Sequence, residues 1–357
     1  MTLPKKRSRK KSFPCSRTAD PMHILIPYFK NDEYRQAIAA AFPQMKVDVF
    51  RVVRHRQIFP WGEKWSVLLN GKPADNNILK DVSICVASND LTKEATSHLL
   101  AQCPQIKWIY SRSTGVDHLM VPAVKGRGIW VSHPHLCSEA MGEYVLTILL
   151  SITKQIIGHY RLQKKGLWQF LPAQMLGKKR AGILGGGHVG QTVAQRLKQN
   201  GMEVWGLGRS ERTQLPHFDR YMTLNDLKSF VAQCDFIIVA LPLTDATRHC
   251  INADTITCMK KDAWLINIGR GELIDHQALL RALRDRKIGG ACLDVIDDAL
   301  QNKVHSLSNY PNLILTHHSS FSYPEYNADN LKTFMEELKR YMAGQKPQNL
   351  VDIEKGY

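Results

Sequence analysis

Gly185, Gly187 and Gly190 form a GxGxxG pattern between an apolar run, Ala181 to Leu184, and a helix-period segment that ends near Asn200 and Gly201. The spacing has a chemical reason. The first glycine permits a tight turn, the second lets the backbone approach a pyrophosphate, and the third lets helix and strand pack closely. The helix start at His188 and Val189 then offers free N–H groups and a positive dipole end to phosphate. An isolated GxGxxG can be an ordinary glycine-rich turn, but the strand before it and the helix after it favour a dinucleotide site.

The next strand, Glu203 to Leu207, ends in Gly208-Arg209-Ser210-Glu211-Arg212. An NAD site usually carries an acid about 20 positions past the glycines, where it accepts from the ribose hydroxyls. Gly208 stands there instead. A guanidinium pairs with a 2′-phosphate that a carboxylate would repel, so Arg209 and Ser210 favour NADP(H) over NAD(H). The competing reading is surface arginines on a loop. A second anion-binding candidate is Ser111-Arg112-Ser113-Thr114-Gly115-Val116-Asp117, at the carboxyl end of a strand near 107–110. Such a turn can aim several amides at an anion, and by itself it is equally an ordinary capped turn.

These groups need a scaffold, and 357 residues suit two domains. No apolar run reaches the roughly 18 to 20 residues of a membrane span; Tyr144 to Ile157 is interrupted by Ser151, Thr153 and Lys154 and reads as a buried helix. Eight cysteines show no CxxC pair, and no metal cluster is visible, which suits a reducing cytoplasm. Of the net charge of +16, residues 1–21 supply six through seven basic side chains against Asp20. That segment reads as a basic disordered extension, and Met22 opens the first strand and is a candidate start. A basic surface around an anionic cofactor and substrate requires no nucleic acid.

Strands are expected near 23–27, 47–53, 82–87, 107–110 and 129–132, with helices near 32–42 and 92–102. Trp61 and Trp65 fall in a long connection at 54–80 and are expected to pack inside. A helix capped by Ser138 should run beyond 155. Further strands are expected at 235–240, 263–268, 290–294 and 312–316, with helices at 225–231 and 276–286, and a terminal helix from Glu325 to Gly344. The alternation argues an α/β protein with parallel, doubly wound sheets.

Beyond the glycines come Ala240-Leu241-Pro242-Leu243-Thr244 with Thr247, then Asn267-Ile268-Gly269-Arg270-Gly271, Leu293-Asp294-Val295 and Thr316-His317-His318. This ordered set resembles the D-isomer-specific 2-hydroxyacid dehydrogenase family, and the C-terminal Asn349 to Tyr357 is similar to its glyoxylate/hydroxypyruvate reductase branch. The resemblance covers 22 to 357. It implies two doubly wound domains, Rossmann-like and flavodoxin-like, with an NAD(P)-binding domain at 132–318 inserted into a substrate-binding domain formed by 22–131 and 319–357. The cleft between them is the implied site. By the same resemblance Arg270 holds the substrate carboxylate and His318 is the acid/base. Ser113, Thr114 and Gly115 bind the carboxylate through amides. Leu241, Pro242, Thr247 and Ile268 line the cofactor, and Asp294 lies near the nicotinamide carboxamide. A homodimer paired through the cofactor domains, with the helix at 138–158 contributing, is also implied.

One departure stands out. The family glutamate, five positions past the Asp294 equivalent, is Ala299 here. It would orient the histidine and raise its pKa. Asp297 and Asp298 are the nearest substitutes in sequence, with shorter side chains. His317 replaces a usual proline, and Phe321 and Tyr323 replace smaller residues. The favoured function is NADPH-dependent reduction of a small 2-oxo acid, of the glyoxylate or hydroxypyruvate type, to the D-2-hydroxy acid. The alternative is a catalytically weak NAD(P)H sensor acting through a partner, similar to the corepressors related to this family.

Overall fold

Near-continuous apolar runs, the pattern of strands covered on both faces, build two sheets. The computed structural model describes residues 22–28, 31–59, 62–89, 91–212 and 215–356. The basic extension 1–21 and Trp61 therefore lie outside the described residues. The chain divides into two units, Met1–Pro134 with Asn327–Tyr357, and the continuous segment His135–Tyr326.

In the first unit, β1 (His23–Pro27), β2 (Lys46–Phe59), β3 (Gly62–Leu69), β4 (Lys72–Pro73), β5 (Val82–Ala87), β6 (Trp108–Ser111) and β7 (Trp130–Ser132) lie in the order β4-β3-β2-β1-β5-β6-β7. The strands from β2 to β7 in that order run parallel, while β3 and β4 are antiparallel additions. Alternate residues serve opposite faces: Ile24, Ile26, Ile84 and Val86 join one core, Leu25 and Cys85 the other. The C-terminal helix Tyr326–Met342 buries Phe334 and Leu338 against the first of these.

The supposed connection at 54–80 is largely sheet, a correction to the sequence reading. β2 continues to Phe59 and pairs antiparallel with β3, with Val52 opposite Val67 and Arg54 opposite Trp65. Val67 and Leu69 alternate inward, and Trp65 packs half-buried beside them. Asn70 and Gly71, at φ 49° and 83°, make the two-residue turn into β4. An Asn-Gly pair is suited to such a turn because both positions need positive φ.

In the second unit, β8 (Arg180–Leu184), β9 (Glu203–Gly208), β10 (Arg220–Thr223), β11 (Phe236–Val239), β12 (Trp264–Asn267), β13 (Gly290–Leu293) and β14 (Leu313–Leu315) are all parallel, in the order β10-β9-β8-β11-β12-β13-β14. The short edge strand β10 was not expected. Strand order reverses between β8 and β11, and a crevice at the carboxyl ends of such a switch point is where open α/β sheets bind ligands.

Two details of the helices differ from expectation. Cys137, not Ser138, holds the cap position, without a side-chain capping bond to the helix, and Ser138 is buried as the first helical residue. The helix ends at Thr153. Gln155, at φ 55°, turns the chain into a second helix, Ile156–Lys164, bent by 61° from the first. Among the described residues no single helix is long and apolar enough to cross a membrane.

Candidate active site

The glycine loop leaves β8 with each of its three key glycines doing a different job. Gly185 has φ 117°, and a Cβ there would lie 2.4 Å from the Ala240 carbonyl oxygen. A Cβ on Gly190 would lie 1.8 Å from the Gly185 oxygen, so the helix His188–Gln199 can start this close to the strand only without a side chain. A Cβ on Gly187 would meet nothing within 4 Å. That open space faces the start of the helix, where the backbone can approach a phosphate. The rings of His188 and His135 stack beside it at 3.8 Å. Arg209 and Ser210 are exposed at the end of β9. Arg212 donates from Nη1 to the Gly186 oxygen at 3.1 Å, tying that segment to the loop.

Three further loops abut at the carboxyl ends of β11, β12 and β13. Leu241 is buried, and Thr247, 5% exposed, donates to the Pro242 oxygen at 2.7 Å while accepting from the Thr244 amide. Its hydroxyl thus shapes the Leu241–Pro242 turn. Asn267, fully buried, donates to the Arg270 oxygen at 2.8 Å and accepts from the Gly269 amide at 3.0 Å. This clamp sets the Ile268–Arg270 turn, and Arg270 Nη1 donates to the Gly269 oxygen. The glycines on either side are required by space. A Cβ on Gly269 would lie 3.1 Å from the Leu241 oxygen, and one on Gly271 would lie 2.4 Å from the Asp297 nitrogen.

Asp294 governs the next turn. Its carboxylate, 2% exposed, accepts from Thr316 Oγ1 at 2.6 Å, the Ser319 amide at 2.8 Å and the Ser320 amide at 3.1 Å. Its carbonyl oxygen accepts from the His318 amide at 2.8 Å. These bonds hold His318 at φ 48°, a left-handed conformation uncommon outside glycine. Burial alone would raise the Asp294 pKa. The polar contacts from Ser320 and Thr316 and the amides of Ser319 and Ser320 outweigh it and hold the carboxyl below its usual range. Tyr144 Oη lies 2.7 Å from Thr316 Oγ1, extending the network to the Ser138–Thr153 helix. Neither Thr316 nor Tyr144 was singled out from sequence for this part.

The His318 ring is exposed by area yet partly desolvated, with Phe321 edge-on at 5.4 Å. Desolvation first, then the Arg270 charge, lowers its pKa below the ordinary imidazole value; Asp294 opposes and His317 adds to the lowering. His318 therefore senses the Arg270 charge. Both aspartates proposed to replace the missing glutamate have other partners. Asp297 caps the short helix Asp298–Gln301 by accepting from the Leu300 amide and pairs with His276, and Asp298 accepts from Gln301. Ala299 is exposed on that helix.

Ser113, Thr114 and Gly115 belong to the first unit and are half-buried. Ser111 Oγ donates to the Ser113 oxygen at 2.8 Å, and Ser113 Oγ donates to the Gly115 oxygen at 3.0 Å. A residue missed from sequence anchors the turn. Asn330, fully buried on the C-terminal helix, donates to the Arg112 oxygen at 2.6 Å and accepts from Tyr34 Oη at 3.1 Å. Arg112 Nη2 donates to Asn327 at 2.7 Å. Only a long-range contact reveals this, because the partners are more than 200 positions apart in sequence.

Residues 146–320 match the family model described as D-isomer specific 2-hydroxyacid dehydrogenase, NAD binding domain. The glyoxylate reductase of Aeropyrum pernix is 32% identical over 276 residues, covering 74% of this chain and 82% of that protein. That of Thermofilum pendens is 29% identical over 282 residues, covering 77% and 82%. Among solved structures, a D-isomer specific 2-hydroxyacid dehydrogenase family protein from Aeromonas salmonicida is 29% identical, with a TM-score of 0.73 over 94% of this chain and 100% of that one. An NADPH-dependent glyoxylate/hydroxypyruvate reductase from Sinorhizobium meliloti, solved with NADP and sulfate, shares the fold at TM-score 0.76 and 23% identity, over 94% and 100%.

Proposed function

The chain belongs to the D-isomer specific 2-hydroxyacid dehydrogenase family, and from that premise we propose that it reduces a small 2-oxo acid of the glyoxylate or hydroxypyruvate type to the D-2-hydroxy acid, with NADPH preferred over NADH. The observation that carries the proposal is the placing of His318 within reach of the Arg270 charge. The two residues stand past the carboxyl ends of β12 and β14, with Asp294 of the intervening β13 loop fastening the histidine turn.

The glycine loop fits a nicotinamide dinucleotide: Gly187 leaves room for the pyrophosphate, and the amides at His188 and Val189 begin a helix aimed at it. Bound there, the reduced nicotinamide supplies the hydride. The surrounding residues then divide the remaining work. Leu241, Pro242, Thr247 and Ile268 line the cofactor, and Arg209 with Ser210 meets the 2′-phosphate. Arg270 pairs bidentately with the substrate carboxylate and polarises the adjacent carbonyl. The His318 ring N–H gives its proton to the carbonyl oxygen as the alcohol forms. Ser113, Thr114 and Gly115 supply amides to the carboxylate. Asp294, besides lying near the carboxamide, positions His318. In this reading 132–318 is the cofactor domain, and 22–131 with 319–357 is the substrate domain. The chain works as a homodimer. In the same reading the chain works in a reducing compartment, the cytoplasm; the described cysteines carry free thiol groups in no disulfide.

Steady-state assays with a panel of 2-oxo acids and both cofactors test this. Turnover of a short 2-oxo acid with NADPH is expected, and no cofactor-dependent turnover on any member would overturn it. A second reading, a catalytically weak NAD(P)H-binding sensor, draws on Ala299 and on the commitment of Asp297 to His276. It requires tight NADPH binding without turnover.

A further inference from the structure

Three glycines at one corner of the second unit have no conformational reason to be glycine. Gly186, Gly206 and Gly208 lie outside the left-handed φ region. All three face the same side chain. A Cβ on Gly206 would lie 2.4 Å from Tyr221 Cδ2, one on Gly208 would lie 2.3 Å from Tyr221 Oη, and one on Gly186 would lie 2.4 Å from that same oxygen. The register explains the layout. β10 runs parallel to β9 with Tyr221 opposite Gly206 and Thr223 opposite Gly208. The ring therefore starts beside Gly206 and points along β9 toward its carboxyl end. Phe218, edge-on at 5.6 Å, backs it. The hydroxyl comes to rest between the end of β9 and the glycine loop.

That corner is where the adenosine ribose lies in a doubly wound dinucleotide site, since the acid that accepts from the ribose hydroxyls stands at the end of the second strand. We propose that Tyr221 determines cofactor specificity here: its ring confines position 208 to glycine, bars a ribose-binding carboxylate, and leaves a neutral phenol where the acid would stand. The inference rests on the NADPH reading above and adds its cause. Arg209 and Ser210 favour the 2′-phosphate, while the Tyr221 slot keeps out the group that would repel it. A single acidic substitution at 208 therefore cannot convert the site. The obstacle is one oxygen atom, because the next nearest Tyr221 atoms to that Cβ are Cζ at 3.1 Å and Cε1 at 3.3 Å, which a small shift accommodates.

The test is a double-mutant cycle in the full chain, reading both melting temperature and the ratio of kcat/KM for NADH to that for NADPH. Gly208→Ala is expected to lower the melting temperature by several degrees, and Tyr221→Phe to recover most of that loss. Gly208→Asp alone should lose stability without gaining NADH use. Gly208→Asp with Tyr221→Phe should raise the NADH/NADPH ratio about tenfold or more over Tyr221→Phe alone. If Gly208→Ala melts like the wild type, or Gly208→Asp alone converts the cofactor as well as the pair does, the inference is overturned. The wild-type ratio tests the underlying reading separately. A wild type that favours NADH removes the specificity role, even where positions 208 and 221 still couple in melting.

Discussion

Asp297 and His276 are locked together, carboxylate Oδ2 to imidazole Nδ1 at 3.1 Å, with the histidine only 4% exposed. The other carboxylate oxygen accepts from the Leu300 amide at 2.9 Å. That acid, two positions before Ala299, is thus spent on holding the β13 loop against the helix His276–Arg284, and the carboxylate that acts on His318 is Asp294 instead.

His318 should therefore lose its proton at lower pH than a glutamate-assisted imidazole. Its pKa is depressed, so reductive kcat/KM should fall as pH rises through that lowered value. Ala299→Glu should move the alkaline limb to higher pH and raise kcat/KM near neutrality by about tenfold or more. Unchanged pH–rate profiles in the variant would show that the new carboxylate does not reach the ring.

Asp294→Asn tests the fastening of the histidine turn. The carboxylate has a folded pKa below its unfolded value near 3.9, so its contribution is fully present above that value and is lost as pH falls through the folded pKa. The variant should lose about 2 kcal/mol at neutral pH and show a flatter acid limb in melting temperature against pH. Its kcat should drop more than its cofactor affinity, because His318 is no longer held at φ 48°.

The glycine loop offers a contrast between neighbours. Gly190→Ala puts a methyl 1.8 Å from a backbone oxygen that cannot move without the helix, and it should unfold or strongly destabilise the second unit. Gly187→Ala adds a methyl to open space. It should melt like the wild type yet bind NADPH about tenfold more weakly in a fluorescence titration. Equal affinity in Gly187→Ala would remove the pyrophosphate from this position.

What could be read from the sequence was local. The strand–glycine–helix run at 181–200 carries its geometry in its spacing, and the parallel strands announce themselves as apolar runs. The β2–β3 hairpin was legible in principle, since Asn70-Gly71 is a strong turn signal, but the polar Arg54, His55 and Arg56 hid the strand's length. Tyr221, Asn330 and the Asp297–His276 pair were not legible. Each acts on a residue far from it in sequence, and neither periodicity nor a short motif records such contacts.

Asn330→Leu keeps the side-chain volume and removes the hydrogen bonds of the Asn330 side chain, while the Tyr110 bond to its backbone oxygen survives. The Arg112 carbonyl and the Tyr34 hydroxyl would lose a buried partner, at a cost of about 2–4 kcal/mol. Because Arg112 leads directly into Ser113–Gly115, KM for the 2-oxo acid should rise while the NADPH dissociation constant stays unchanged. A rise in both would mean that Asn330 supports the fold generally and not the carboxylate loop.

The homodimer reading makes a sharper demand on one segment. Of the eight large apolar side chains exposed among the described residues, six fall between 156 and 175, including Trp168 at 105% and Phe170 at 82%. A monomer seldom leaves so much aromatic surface in water over a single short stretch. A stable interface needs about 800 Å² from each partner, and an arm carrying two large rings can supply much of its apolar centre. Sedimentation velocity should find the wild type dimeric at micromolar concentration. Trp168→Ala with Phe170→Ala should sediment as a monomer with an unchanged melting transition for the first unit. A dimer that survives both truncations would place the interface on another face of the chain.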